Sequence, residues 1–551
     1  MKVAVEGCAH GELEKIYECI AALSQMSNSK IDLLICCGDF QATRNLDDLD
    51  TMAVPQKFRQ MCSFYKYYTG ELVAPVLTIF VGGNHEASNY LQELPYGGWV
   101  APNIYYLGYS GVVNIAGVRI AGVSGIFKGG DHHRGRFERM PFSESTKRSV
   151  YHVRNLDIYR LRQIESPVDI VISHDWPQGV YNFGDKNSLI KMKPFFKDEI
   201  DAEKLGSPVN SELLFKLKPK YWFAAHLHVK FAALIPHKDE GGNVTEVTKF
   251  LALDKCLPKR KFLQVVDIEH DPSRQLELEY DLEWLAILHY TNHLISVDSG
   301  MNYLPSASSG NQERWIFTPT EDEKEFILEK MDNNLNVPLN FKTTAPGYRP
   351  DSSQTPGTPT KFRRPPTLNP QTIEFCKKLG IDDPVALLLG KQDPGRTPER
   401  AGCPADTSDP NLSFVDSEVS GFYSGSDENE KSENNESDKE GIAESSPSSR
   451  RSALQLPAPK FESSSPVIEL EESPPAPELE DHPLFVIDEG PKRGVDESTP
   501  LQDEGPKRGV DESTPLQDEG PKRGVDESTP LQGKKKFKRR NQSLYANNDE
   551  D

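Results

Sequence analysis

No apolar run in this 551-residue chain approaches the roughly 20 residues that cross a bilayer, which leaves no candidate membrane span. Met1 to Gly7 lacks the apolar core of a signal peptide. Cysteine is scarce, at 8 residues without a spacing framework, so a disulfide scaffold is excluded and a reducing compartment fits. Positive charge is in the minority, 63 Lys and Arg against 84 Asp and Glu for a net charge of −21, so any stretch where basic residues dominate stands out.

What the chain does have is metal-ligand side chains at the ends of apolar runs. V-A-V-E-G-C-A-H ends on Cys8 and His10, L-L-I-C-C-G-D on Asp39, and L-T-I-F-V-G-G-N-H-E on Asn84 and His85. I-V-I-S-H-D ends on His174, and W-F-A-A-H-L-H on His226 and His228. Short apolar runs bounded by Gly are the pattern of buried parallel strands, and ligands in α/β sheets gather at the carboxyl ends of strands. One sheet edge would therefore collect every candidate. Taken singly, each signal is weak: Asn84 could be a turn former after Gly82 and Gly83, and Cys8 a small buried hydrophobe, as Cys36 and Cys37 are read to be. The ordered set leaves far less room for packing alone.

Two divalent cations about 3.5–4 Å apart can clamp the attacking and leaving oxygens of a phosphoryl transfer, and a carboxylate between them offsets their repulsion. Asp39 is the natural bridge, with imidazoles and the Asn84 carbonyl as neutral donors. Cys8 as thiolate and Asp39 leave two divalent ions with surplus positive charge, which suits a phosphodiester.

The block order, with G-D-F at Gly38 to Phe40, G-G-N-H-E at Gly82 to Glu86 and A-H-L-H at Ala225 to His228, resembles the calcineurin-like metallophosphoesterases. V-E-G-C-A-H-G, C-G-D-F-Q-A, G-G-N-H-E-A-S, Pro95 to Gly108 and S-H-D-W-P at Ser173 to Pro177 narrow the resemblance to the RNA lariat debranching enzymes within them. The chain departs from the wider superfamily where Asp-x-His is replaced by Cys8-Ala9-His10, as it is in debranching enzymes. Thiolate with imidazoles selects zinc or ferrous iron over magnesium or calcium.

The resemblance implies one metal held by Cys8, His10, Asp39 and His228 and a second by Asp39, Asn84, His174 and His226. The ions would be Fe2+ or Zn2+, with Mn2+ also supporting activity. His85 is then left over, placed either to protonate a leaving oxygen or to make a supporting hydrogen bond.

Ser124 to Arg154 reverses the local charge, with Lys128, Arg134, Arg136, Arg139, Lys147, Arg148 and Arg154 against Asp131, Glu138 and Glu144. Phe127, Phe137, Phe142 and Tyr151 are interleaved, so bases could stack while phosphates are neutralised. Read alone, the stretch could also be a solvated basic loop with core-facing aromatics. The resemblance implies a lariat-recognition loop at 124–154, with Lys128, Arg134, Arg136, Arg139, Phe137 and Tyr151 as candidate RNA contacts.

An α/β organisation is expected: a metallophosphoesterase β-sandwich flanked by helices over 1–235, with helical patterns at Glu14 to Met26 and Val153 to Ile164. A smaller α+β C-terminal domain is expected over 236–345, with a strand at Leu276 to Tyr280 and helices at Asp281 to Leu294 and Glu321 to Met331. From 346 to 551, Pro, Ser, Asp, Glu and Gly dominate, and a disordered acidic tail is expected, with one short helix-like stretch at Gln371 to Leu379. D-E-G-P-K-R-G-V-D-E-S-T-P-L-Q recurs from Asp488, Asp503 and Asp518, spanning 488–532. Its units offer only Val and Leu to a core, which excludes a solenoid. K-K-K-F-K-R-R at Lys534 to Arg540 points to a nuclear import receptor and a nuclear location, with passage to the cytoplasm left open.

The expected reaction, on the resemblance, is metal-dependent in-line attack of hydroxide on the 2′-5′ phosphodiester at the branch point of excised intron lariats, giving linear introns for turnover. Branched intron RNA is the expected partner, with spliceosome-associated proteins on the tail. A protein serine/threonine phosphatase shares the metal blocks, and a non-catalytic RNA-binding scaffold shares the loop and tail. Neither needs the whole set.

Overall fold

The protein is described here by a computed structural model that covers residues 1–308, 314–350 and 366–390. The repeats at 488–532 and the basic run at 534–540 lie outside the described residues.

The strands are β1 (Lys2–Glu6), β2 (Leu33–Cys36), β3 (Leu77–Phe80), β4 (Gly98–Ala101), β5 (Ile104–Tyr106), β6 (Ser110–Ile115), β7 (Val118–Val123), β8 (Ile170–Ser173), β9 (Tyr221–Ala224), β10 (Phe231–Lys238), β11 (Val244–Ala252), β12 (Leu263–Asp267) and β13 (Leu278–Tyr280). They form a sheet in the order β12-β1-β2-β3-β5-β4 and a second in the order β10-β11-β9-β8-β7-β6-β13. The sheet centres are parallel, β1-β2-β3-β5 in the first and β11-β9-β8-β7 in the second. Antiparallel strands close the edges.

Successive strand residues face opposite sides of a sheet. Val3, Val5, Ile35 and Ile79 of the first sheet meet Ile120, Ile170, Ile172 and Phe223 of the second in one shared core, so the two sheets stack face to face. Ala4 and Leu34 point outward onto Leu13, Ile16 and Ile20 of the helix Leu13–Ser27. On the far face of the second sheet, Val171, Trp222 and Phe250 pack with the helices Asn155–Leu161, Pro208–Leu217 and Leu282–Tyr290. The result is the expected α/β sandwich with helices on both outer faces.

Two boundaries differ from the sequence reading. Residues 236–345 do not stand apart as a small domain. β11 joins β9, β12 joins β1, and β13 joins β6, so this stretch extends both sheets. A few strands cannot bury a face alone, and adding them to existing edges solves that. The second difference lies beyond 346: the short helix expected at Gln371 to Leu379 is there as Pro370–Leu379, but it packs into the fold and is followed by a second helix, Pro384–Gly390, in place of a disordered tail. Asn369 caps the first by accepting from the Gln371 N–H at 3.0 Å, and Cys376 and Leu379 join the core of the second sheet's outer layer. The local pattern announces the helix but not the distant residues it packs against. Gln371 also ties down the edge of the first sheet: its amide accepts from Trp99 N at 2.8 Å and donates to Trp99 O at 2.9 Å, standing in for a neighbouring strand.

Candidate metal centre

Every strand-end candidate reaches one place because β1, β2, β3, β8 and β9 are parallel-sheet strands whose carboxyl ends share an edge of the sandwich. The backbone turns sharply as it leaves them. His10, Asp39, His226 and His228 have φ of 45°, 44°, 64° and 50°, a left-handed conformation that costs non-glycine residues about 1–3 kcal/mol each. Glycine is required beside them: a Cβ on Gly83 would stand 2.2 Å from Asp39 Oδ1, and one on Gly38 2.2 Å from His174 Nδ1.

The donor atoms of Cys8, His10, Asp39 and His228 all lie within 4.8 Å of one another. His10 Nε2 is 3.4 Å from His228 Nε2 and 3.8 Å from Asp39 Oδ2, and the His226 N–H donates to Cys8 Sγ at 3.3 Å. A second group meets the other carboxylate oxygen. His174 Nε2 is 3.3 Å from Asp39 Oδ1 and 3.1 Å from Asn84 Oδ1, and the His174 and His226 rings are 4.9 Å apart. Asp39 thus turns one oxygen to each group.

The chemistry of these contacts fits cations. The Cys37 carbonyl takes the Nδ1 proton of His174 at 2.9 Å, so Nε2 presents a lone pair to two further acceptors, Asn84 Oδ1 and Asp39 Oδ1. Three lone pairs converge with no proton among them. Burial holds the His174 imidazole neutral, and it lowers His10 to about 4 and His226 to about 3, so protons do not supply the missing charge. For Asp39 burial acts upward, but His174, His85, His10 and the His85 N–H outweigh it and hold the carboxyl far below its usual range. Burial, with the Asp39 and Glu6 carboxyls nearby, pushes the Cys8 thiol up, and only a cation against the sulfur would reverse that.

His85 sits beside these groups without joining either. Its N–H donates to Asp39 Oδ1 at 2.8 Å and its Nδ1 is 3.5 Å from Asp39 Oδ2, with the side chain 18% exposed. Glu86 was missed by sequence reasoning although it sits within G-G-N-H-E. Its buried carboxylate accepts from the Phe40, Gln41 and Gly83 N–H groups at 2.7, 2.9 and 2.9 Å, fastening the Asp39 turn to the Asn84 turn. Two of its three partners, Phe40 and Gln41, are backbone groups of another turn, which no local spacing announces.

The basic stretch 124–154 starts at the metal centre, where the Gly125 N–H donates to Gly82 O at 2.8 Å. Its charges are largely spent internally. Arg136 is corrected as an RNA contact: its guanidinium pairs with Asp157 at 2.5 Å and lies 3.3 Å above the Tyr109 ring, turned inward. Arg154 pairs with Glu138, Lys147 with Glu144 at 2.8 Å, and Arg134 with Asp131 at 3.2 Å. Phe137 lies between the guanidinium groups of Arg134 and Arg154, at 5.9 and 5.8 Å. Tyr151 lines a narrow crevice with Gly82, Gly83 and Glu86. Lys128 is exposed and Arg139 half-buried, and neither has an ion-pair partner among the described residues.

Comparison with known proteins follows the same lines. Residues 1–230 match the calcineurin-like phosphoesterase family, whose members use divalent metal ions, and residues 245–384 match the C-terminal domain of the lariat debranching enzyme. The chain is 55% identical to lariat debranching enzyme A of Xenopus laevis over 385 residues, 70% of this chain and 71% of that one. The chain belongs to the lariat debranching enzyme family. It is 55% identical to the human family member over 384 residues, 70% of each chain. The Arabidopsis thaliana member is 46% identical over 418 residues, 76% of this chain and 94% of that one. Membership also accounts for the extra strands β11, β12 and β13 and the helix Pro370–Leu379, which fall in the C-terminal family match.

Proposed function

We propose that this chain hydrolyses the 2′-5′ phosphodiester at the branch point of excised intron lariats, releasing linear RNA. The observation that carries the reading is Asp39, one carboxylate with an oxygen toward each of two convergent donor groups, in a member of the debranching family. Cys8, His10, Asp39 and His228 would hold one ion, and Asp39, Asn84, His174 and His226 the other. Two divalent ions there would supply Lewis-acid activation of water and offset charge on the phosphoryl oxygens.

The thiol and imidazole donors favour Fe2+ or Zn2+, and Mn2+ should restore activity to stripped protein. His85, partly open to solvent beside the carboxylate, protonates the departing 2′ oxygen, and Asp39 orients it through the 3.5 Å contact. Glu86 keeps the two turns in register so that the donor groups stay convergent. Lys128, Arg134 and Arg139 remain the contacts of the 124–154 loop that are open to RNA.

Purified full-length protein offered a branched RNA, a linear 3′-5′ RNA and a phosphopeptide should turn over the first alone. Equal turnover of the phosphopeptide would replace the reading with a protein phosphatase, and binding of branched RNA without cleavage would replace it with a scaffold. The same proposal extends to residues outside the described ones: 534–540 would engage an import receptor, the rest of the tail would meet spliceosome-associated proteins, and the enzyme would reside in the nucleus.

A further inference from the structure

The turn between β11 and β12 carries a second basic cluster that the loop at 124–154 overshadows in the sequence. Asp254 to Phe262 reads D-K-C-L-P-K-R-K-F, and the structure lays it directly against Cys8. Cys8 N–H donates to Asp254 O at 3.3 Å, Cys256 N–H donates back to Cys8 O at 3.0 Å, and Gly7 N–H donates to Phe262 O at 3.0 Å. The turn closes on itself where the Asp254 N–H meets Lys261 O at 3.1 Å.

Arg260 is paired with Asp254 at 3.3 Å. Lys255, Lys259 and Lys261 have no ion-pair partner among the described residues, and neither does Lys230, two residues beyond His228. Lys230 and Lys261 are both exposed. Lys255 forms an isolated bridge with Cys8, between the two residues whose backbones hydrogen-bond Cys8, which places its charge at the rim of the metal centre. In a chain of net charge −21 this is an unbalanced patch, whereas four of the seven basic residues in 124–154 are already paired.

The 124–154 stretch leaves the centre beside Gly82, next to β3, while the 254–262 turn sits beside Cys8, between β1 and β12. The two lie on opposite flanks. A branch point sends out three polynucleotide arms, so a centre that cuts one of them must hold phosphates on more than one side.

We propose that Lys230, Lys255, Lys259 and Lys261 form a phosphate-binding track for one RNA arm on the Cys8 flank of the metal centre. The proposal rests on the reading that branched RNA is the substrate. Its chemistry is that of ammonium groups against successive phosphates, which holds backbone without reading sequence.

The test uses the full-length protein with Lys259→Gln/Lys261→Gln and Lys259→Glu/Lys261→Glu, both at exposed positions of the turn. Affinity for branched RNA with long arms is measured from about 50 to 200 mM salt, with metal content and hydrolysis of bis(p-nitrophenyl) phosphate as checks on the centre. Two lost single-strand contacts at about 0.7 each should flatten the salt dependence by about 1.4 and narrow the wild-type advantage about sevenfold across that range. The Glu variant should bind more weakly than the Gln variant, and trimming each arm to one nucleotide should abolish the difference. Unchanged affinity and salt dependence would overturn the track, as would loss of metal and small-diester hydrolysis together, which would make the turn a support for Cys8. If the binding difference holds but wild type does not cleave branched RNA, the functional reading falls and the track stands.

Discussion

Asp39 does at one residue what the rest of the centre depends on. Both of its oxygens face donors that offer lone pairs, so Asp39→Ala should remove bound metal and activity together, read by elemental analysis beside branched-RNA turnover. Full metal content in that variant would rule out a bridging role. Cys8→Asp keeps a negative donor but hardens it, and metal titration should show preference moving toward Mn2+ or Mg2+. His85→Ala should keep its metals, because that ring stands outside both donor groups, while turnover falls about 10²–10⁴-fold. A substrate whose 2′ leaving group needs no proton should recover most of the loss, whereas lost metal would make His85 a ligand. Arg136→Glu belongs to a different class. It would set a carboxylate against the buried Asp157 and remove that acid's arginine partner, while Glu138 keeps Arg154, so it should destabilise the protein by about 3–5 kcal/mol in a denaturant titration. Weakened RNA binding with unchanged stability would show that its inward pairing is not maintained.

Elements explain why some of this was legible beforehand and some was not. The strand-end donors could be read because an apolar run that halts at Gly is a local signal, and parallel sheets carry such ends to one edge. The helix Leu13–Ser27 lies within a residue of the periodicity that announced it. The roles inside 124–154 could not be read that way, since the partners of Arg136 and Arg154 are chosen by the fold: Asp157 lies 21 residues from Arg136, and Glu138 16 from Arg154. The helix Pro370–Leu379 was legible within a residue, but its packing was not, since its value to the structure lies in contacts 272 residues away. Gln371→Ala would leave the buried N–H and C=O of Trp99 without partners, at about 1–3 kcal/mol for each group. The midpoint of urea unfolding should fall accordingly, with metal content unchanged in the folded protein. An unaltered midpoint would mean that the edge strand β4 finds other partners or water.

For the whole molecule, the described core runs past Pro346 and reaches Gly390. Leu379, Val385 and Leu388 are buried, and burying such a side chain contributes about 1.5–3 kcal/mol. Asn369 reaches the buried Glu93 carboxyl, and the Thr372 hydroxyl donates to the Glu93 carbonyl at 2.7 Å. Ending the chain before Pro346 should therefore yield protein that aggregates or unfolds at lower denaturant. Ending it after Gly390 should preserve the fold, the metal content and the hydrolysis of a short branched RNA, because every candidate donor and every core residue named above precedes that point. Loss of activity on removing 391–551 would show that the tail takes part in the reaction. Deleting only Lys534 to Arg540 separates address from chemistry: turnover in the test tube should be unchanged, while a fluorescent fusion should shift from nucleus to cytoplasm. A fusion that stays nuclear would assign import to another segment.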